Sequence, residues 1–352
     1  MYMKRTKVIA FYLPQYYPTP ENDKWWGVGF TEWTNVGKAK PLFSGHYQPK
    51  VPADLGYYDL RVPETRQAQA DLAAAYGIDG FCYWHYWFAG RRLLDRPFKE
   101  VLESGSPEFP FCLCWANHSW QKGTWSENGG SQMLVEQTYP GKQDVIDHFM
   151  ALLPAFRDKR YIRINNQLLF GLYSPLDVPD FLEFSSLWNE LAEKNGLGKF
   201  HFFGFTMRPE QSKAIVEHGF DSSVVDYVFS GRPDSFSIFD RLNRRFFHKP
   251  FICDYAKYSK TIRDDYSPSP QNQLCIIPNF DHSPRSGHIG VIYNNATPEA
   301  WGKLLDYVVN EMGYDEDILF IKAWNEWGEG NYLEPDLKYG RGYLEELKRV
   351  LM

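Results

Sequence analysis

Val8-Ile9-Ala10-Phe11-Tyr12-Leu13 runs directly into Pro14-Gln15-Tyr16-Tyr17-Pro18. The first six residues are apolar or aromatic without alternation, the form of a strand buried on both faces. Such a strand can open a doubly wound sheet or a parallel barrel. A doubly wound nucleotide-binding sheet usually places a glycine-rich turn after its first strand, so that backbone N–H groups can approach a phosphate. Here that turn contains two prolines, a glutamine and two tyrosines, and no glycine. The first strand and its exit therefore favour the barrel.

Seven further runs of the same kind follow: Gly80–Trp87, Phe111–Trp115, Leu168–Leu172, His201–Phe205, Asp226–Phe229, Leu274–Asn279 and Ile318–Trp324. Helical patterns separate several of them. Pro63–Tyr76 starts on proline, carries acids and alanines, and stops at Gly77. Asp144–Phe156, Phe181–Asn195 and Pro298–Met312 read similarly, with Gly196 and Gly313 as stops. Eight strands alternating with helices predict an α/β fold, a single (β/α)8 TIM barrel with long βα loops. The 352 residues also fit two domains of about 150 each. No repeat or low-complexity linker divides them, so residues 1–352 are read as one catalytic barrel domain.

Charge and cysteine usage narrow the function classes. With 38 Lys+Arg against 44 Asp+Glu, the net charge is −6. A nucleic-acid or anionic-membrane partner would need a basic face, so neither is expected. The N-terminal apolar run is too short for a secretory signal or a membrane span, which predicts a cytoplasmic protein without membrane insertion. Cys82, Cys112, Cys114, Cys253 and Cys275 lie mostly in strand-like runs and read as buried thiols. No local His or Cys pair has metal-ligand spacing, so neither a metal nor another cofactor is expected.

The 12 Trp, 23 Tyr and 26 Phe are more rings than a core of this size needs. Many gather at predicted strand ends, where a barrel keeps its chemistry. Trp25-Trp26 and Phe30-Thr31-Glu32-Trp33 follow the first strand; Tyr83–Phe88 ends the second. Trp115-Ala116-Asn117-His118-Ser119-Trp120 ends the third, and Pro278–Arg285 the seventh. Asn, Gln, His, Glu and Asp are interleaved with these rings. Sugars offer apolar C–H faces to rings and hydroxyls to polar side chains, so the mixture fits a carbohydrate cleft. The candidate substrate contacts are Tyr12, Gln15, Glu32, Trp33, His85, Trp87, Trp115, Asn117, His118, Asp281, Arg285, Trp324, Asn325 and Tyr332. Any one of these rings could instead be core. His85 reads equally well as a satisfied strand histidine, and Asp281 with Arg285 as a loop ion pair.

The sharpest local feature is Glu326-Trp327-Gly328-Glu329, directly after the last strand. In a helical turn, residues i and i+3 share a face with Cβ atoms about 5–6 Å apart. Glycosidic cleavage needs two carboxyls, one to protonate the departing oxygen and one to assist attack at the anomeric carbon. Two close, partly desolvated carboxyls raise one another's pKa and keep one of them protonated. The spacing E-x-x-E is common by itself; its place at the end of the eighth strand makes Glu326 and Glu329 the catalytic candidates.

These segments resemble the WbsX-type proteins, which in turn resemble glycoside hydrolase family 99, the endo-α-mannosidases and endo-mannanases. The resemblance rests on Ile9–Tyr16, Trp25–Asn35, His46–Pro49, Gly80–Phe88, Phe111–Asn117, Trp324–Gly330 and Tyr332–Asp336, and so spans the chain. It implies a metal-independent, retaining hydrolase acting on α-mannoside-like linkages of a bacterial polysaccharide or glycan. Glu326 would act as base on the 2-hydroxyl, giving a 1,2-anhydro sugar, and Glu329 as acid/base. One departure is visible: His118-Ser119-Trp120 stands where Glu-Asn-Trp is expected. The WbsX name also carries a glycosyltransferase label tied to surface-polysaccharide assembly, which is the alternative function. Its D-x-D motif could only be Asp315-Glu316-Asp317, ahead of the eighth strand and so read as a surface turn on the face away from the cleft. A non-catalytic glycan-binding barrel is the third possibility.

Overall fold

The structure is a computed structural model that describes residues 6–122, 132–229, 250–312 and 318–352. Among these residues eight parallel strands close into a barrel: β1 (Lys7–Tyr12), β2 (Gly80–Phe88), β3 (Phe111–Trp115), β4 (Gln167–Leu172), β5 (Phe200–Thr206), β6 (Ser222–Asp226), β7 (Asn272–Ile276) and β8 (Ile318–Ile321). Each pairs with its sequence neighbour in the barrel. β1 closes the ring, with Val8 opposite Leu319 of β8 and Ala10 opposite Phe81 of β2. The (β/α)8 barrel expected from the sequence is the observed fold.

Apart from their first residues the strands are almost wholly buried, as mostly apolar runs require. All nine residues of β2 and all five of β3 are buried. Rings fill the barrel interior: Phe11 stacks on Trp84 at 4.6 Å and on Phe320 at 5.5 Å, with Phe205 edge-on at 5.4 Å. Space for these rings comes from small partners. A Cβ on Gly171 of β4 would lie 2.2 Å from the Phe203 ring and 2.8 Å from Cys114 Sγ. The five cysteines are buried free thiols.

Helices cover the outside, including α1 (Pro20–Trp26), α2 (Glu32–Lys38), α3 (Pro63–Ala75), α4 (Arg96–Ser104), α5 (Lys142–Phe156) and α6 (Phe181–Lys194). The helix starting at Pro298 ends at Asp306 and continues as a wider turn over Tyr307–Glu311, short of the uninterrupted helix predicted to Met312. Asp315-Glu316-Asp317 lies outside the described residues.

The sixth strand differs from expectation. It is Ser222–Asp226, not the more apolar Asp226–Phe229. Ser222 Oγ lies 2.9 Å from His201 Nε2, and Ser223 Oγ 2.6 Å from Ser212 Oγ. Satisfied in this way, two serines can sit in a buried strand. The shift matters because it moves Asp226 from the start of β6 to its C-terminal end, the end on which the site is built.

Candidate active site

The chain leaves β8 through Lys322, Ala323 and Trp324, and then forms a small hairpin in which Asn325–Glu326 pairs with Asn331–Tyr332. Trp327–Glu329 makes a single 3-10 turn between the two arms. Glu326 ends the first arm in non-helical backbone (φ −87°, ψ 60°) and Glu329 ends the turn, so the two are not i and i+3 of one helix, yet both line the barrel mouth.

Several bonds hold this hairpin. Asn325 clamps it to β1, accepting from Leu13 N at 2.8 Å and donating to Leu13 O at 3.1 Å. Tyr16 donates its hydroxyl to Asn325 O (2.6 Å) and accepts from Trp327 N (3.0 Å). Trp327 stacks on Tyr332 at 3.8 Å, and its indole N–H donates to Glu334 at 2.6 Å. Asp281 N donates to Glu329 O at 2.7 Å. Asn325 O, Trp327 N and Glu329 O are thus fixed by the protein itself, which is preorganisation of the kind catalysis uses.

Arg285 organises the carboxyls. Its Nη1 lies 2.5 Å from Glu329 Oε1 and 3.4 Å from Glu326 Oε1, while its Nε donates to Glu32 Oε2 at 3.0 Å. His282 Nε2 lies 3.7 Å from Glu329 Oε1. Lys322 Nζ, on the cleft floor, is 3.5 Å from Asp226 Oδ2. Close backbone approach makes the arrangement possible: a Cβ on Gly328 would lie 2.0 Å from Glu32 Oε2.

The two catalytic candidates are held in different protonation states. Burial, and then the neighbouring Glu329 carboxylate, push Glu326 up to about 7. Burial opposes ionisation of Glu329 too, but Arg285 and Lys322 outweigh it and hold that carboxyl below the usual range. The pair therefore keeps one proton near neutrality, and in the unliganded cleft it rests on Glu326. Burial pushes His282 down to about 4, leaving a neutral imidazole.

These groups open on a cavity of about 450 Å³. Of the sequence candidates, Gln15, Glu32, His118, Arg285, Glu326 and Glu329 line it. The others are not on its wall. Tyr12 donates to Gln69 at 2.7 Å, and Trp33 to Tyr58 O at 2.7 Å. His85 pairs with His148, Nε2 to Nε2, at 2.8 Å, and Trp87 donates to Asp144 at 3.1 Å. Trp115 lines a separate, smaller cavity with Phe184 and His148. Asn117 binds Ser174 O and Tyr139, and Tyr332 donates to Asp336. Trp324 is fully buried against Phe81, and Asn325 serves the clamp just described. Asp281 and Arg285 do not pair: Asp281 binds His46 (2.8 Å) and Gln48 (2.6 Å) behind the turn, while Arg285 faces the glutamates.

Trp84, Tyr86, Trp120 and His282 lie in strand-end segments read as cleft but were not among the candidate contacts, and Tyr173 and Lys322 were not singled out; all six are on the cavity wall. The signal for two of them was strand parity. In β2 alternate residues face one side. The cleft takes Trp84 and Tyr86, so His85 and Trp87 point outward to the helices. Lys322 was legible as a lone cation beside a fully apolar strand, a placement that buried lysines rarely take without a partner.

Among the described residues, no helix is long and apolar enough to cross a membrane, and no group of three or more His, Cys, Asp or Glu could hold a metal ion.

Comparison with known proteins agrees with this architecture. The chain is 36% identical over 359 residues to proteins named "Uncharacterized protein WxcX" from two strains of Xanthomonas campestris pv. campestris, an alignment covering 98% of this chain and 49% of theirs. The chain thus spans about half the length of these curated relatives. Among solved structures, it superposes on a "Glycoside hydrolase-like protein" with TM-score 0.61 at 12% identity, covering 99% of this chain and 94% of the other. It also superposes on a GH99 endo-alpha-mannosidase from Bacteroides thetaiotaomicron in complex with bis-tris propane, with TM-score 0.58 at 14% identity, covering 98% and 96%. At these identities the likeness is one of fold. The family described as "Glycosyltransferase WbsX" matches residues 8–347, and the chain belongs to that family.

Proposed function

We propose that this barrel is a retaining glycoside hydrolase acting on α-mannoside-like linkages of a bacterial polysaccharide or glycan. The observation that carries the proposal is the Glu326–Glu329 pair: two carboxyls on one short turn at the end of β8, sharing a guanidinium, with their proton affinities pushed apart. Groups driven apart in this way suit an acid and a base in one reaction. The aromatic and hydroxyl-binding lining of the cavity suits a sugar ring.

In the first step Glu326, as carboxylate, takes the proton of the substrate's 2-hydroxyl. The 2-oxygen forms a bond to the anomeric carbon as the glycosidic bond breaks, and Glu329 gives its proton to the departing oxygen. In the second step Glu329 takes a proton from water, whose oxygen attacks the anomeric carbon; the strained ring opens and its oxygen recovers the proton from Glu326. Two inversions give retention. The proton that rests on Glu326 in the free cleft must therefore pass to Glu329 when substrate binds. A glycosidic oxygen that displaces Arg285 from Glu329 removes the main charge holding Glu329 ionised, which is the direction required.

The transferase alternative has the family's name in its favour. Against it stands the cleft's charge: among the described residues Glu32, Asp226 and the singly protonated Glu326–Glu329 pair outnumber the cations Arg285 and Lys322, an environment that disfavours a nucleotide diphosphate. The deciding experiment is Glu329→Gln assayed on 4-nitrophenyl and 2,4-dinitrophenyl α-mannosides and on α-mannan. Loss of turnover with binding retained supports the proposal; turnover equal to the parent's would sink it. Calorimetric binding of a nucleotide sugar would support the transferase instead.

A further inference from the structure

Lys322 is 5% exposed, yet its side chain forms part of the cleft floor. The nearest carboxylate oxygen, Asp226 Oδ2, is 3.5 Å away, its hydrogen-bond contact is Met207 Sδ at 3.8 Å, and its ammonium sits 5.7 Å over the Phe205 ring. An ammonium has three donors, and a buried one without close oxygen acceptors forfeits its hydration. On the same cavity, Glu326 Oε2 is buried without a hydrogen-bond partner. The cleft wall thus holds a donor short of oxygen acceptors and, beside it, a carboxyl oxygen without a partner.

Asp226 decides what acceptor Lys322 seeks. It is fully buried at the end of β6, and its Oδ1 accepts from Val228 N at 2.8 Å, which aims Oδ2 at Lys322. The lysine charge is thereby balanced within the protein. A carboxylate-bearing ligand would meet that balanced pair together with Glu32 and the single negative charge of the Glu326–Glu329 pair, with Arg285 as the facing cation among the described residues. A hydroxyl oxygen meets no such repulsion.

We propose that Lys322 is a specificity residue whose ammonium donates to an uncharged oxygen of the ring held beside Glu326, and that Asp226, by neutralising it, makes the subsite select neutral over acidic sugars. The inference rests on the reading of the cleft as a sugar site.

The test is binding, measured by ligand-observed NMR titration of the full chain. The probes are the methyl α-glycosides of mannose, glucose and galactose and their C6-carboxylate counterparts. At least one neutral glycoside is expected to bind more tightly than its uronate. Lys322→Met should weaken the neutral ligand roughly tenfold, as loss of a hydrogen bond to a charged donor implies. Asp226→Asn should narrow or reverse the neutral-over-acid ratio by strengthening the uronate. Because Lys322→Met leaves Asp226 buried without its cation, Lys322→Met/Asp226→Asn is the folded control and should show the same weakening. Unchanged neutral binding in both methionine variants, or a wild-type preference for the uronate, overturns the inference. So does an Asp226→Asn variant with an unaltered ratio. If only these fail while Glu329→Gln is inactive, the sugar-cleft reading survives alone; if no glycoside binds the wild type, both fall.

Discussion

Trp327 stands between the two catalytic candidates, and its indole N–H reaches 2.6 Å to Oε2 of Glu334, a carboxyl buried seven residues further on. Tyr58 and Gln69 donate to the same carboxyl at 2.8 and 2.6 Å, and Tyr12 donates to Gln69. The turn that carries Glu326 and Glu329 is thus tied, through one indole, to a buried network that reaches β1 and α3. Tyr12, expected to touch substrate, belongs to this support instead.

Removal of the indole N–H tests that brace. Trp327→Phe keeps a ring for the Tyr332 stack but leaves Glu334 one donor short. One lost hydrogen bond to a buried group costs about 1–3 kcal/mol. Urea unfolding should show a loss in that range. Turnover on an activated α-mannoside should fall with little change in KM, because the turn that carries Glu329 loosens while the cavity wall stays. A variant with parental stability and turnover would show that the network does not hold the turn.

The pH dependence of activity follows from the divided pair. The reactive pair holds one proton. As pH falls through the depressed value of Glu329, a second proton binds and the base is lost. As pH rises through about 7, the proton on Glu326 leaves and the acid is lost. A bell-shaped kcat/KM profile is expected, with its alkaline limb near 7. Arg285→Met removes a cation that favours both carboxylates, so both limbs should move to higher pH. The rate at the optimum should drop on the order of a hundredfold, as when an oriented charged donor is removed. An alkaline limb that stays in place in Arg285→Met would contradict the assignment.

Much of this was legible in the residues before the structure. The glycine-free exit after Leu13 and the eight apolar runs point to the barrel, and the position of Glu326 and Glu329 after the last run points to the site. What escaped was contact between segments distant in sequence. Nothing in His46-Tyr47-Gln48 shows that it captures Asp281, 235 residues from His46, and so leaves Arg285 to the glutamates. Ser222 and Ser223 hid a strand because their partners lie on other elements. In β2 the ring-rich run was visible, but its phase was not. Rings on both sides of the strand are buried, so hydrophobicity could not tell the cleft face from the helix face.

Folding stability should decline on acidification through buried neutral histidines. Burial depresses His85 and His148 well below their ordinary value, and His282 to about 4. A histidine whose folded pKa is depressed binds its proton more readily when unfolded, so stability falls as pH drops from about 6.5 toward 4. For His282 alone the loss by pH 4 is about 3 kcal/mol, at roughly 1.4 kcal/mol per pKa unit. Denaturant midpoints measured from pH 7 to 4 should show this slope, and His282→Gln should flatten part of it. A slope unaffected by His282→Gln would mean that this imidazole titrates normally in the fold.

Gly328 offers the most local test of the charge cluster. Its missing Cβ is filled by Glu32 Oε2, the oxygen that receives Arg285 Nε. Gly328→Ala must push either the turn or the Glu32 carboxylate aside. Overpacking of this kind costs about 1–3 kcal/mol. If the turn yields, Glu329 shifts and turnover is lost. If Glu32 yields, Arg285 is released toward Glu326 and Glu329, which lowers their proton affinity and moves the alkaline limb of the activity profile below its parental position. The double variant Gly328→Ala/Glu32→Ala separates the two: it relieves the clash but also lacks the Glu32–Arg285 contact, so restored turnover there would place the defect in the displaced turn. Persisting inactivity in a folded double variant would place it in the lost Glu32–Arg285 contact.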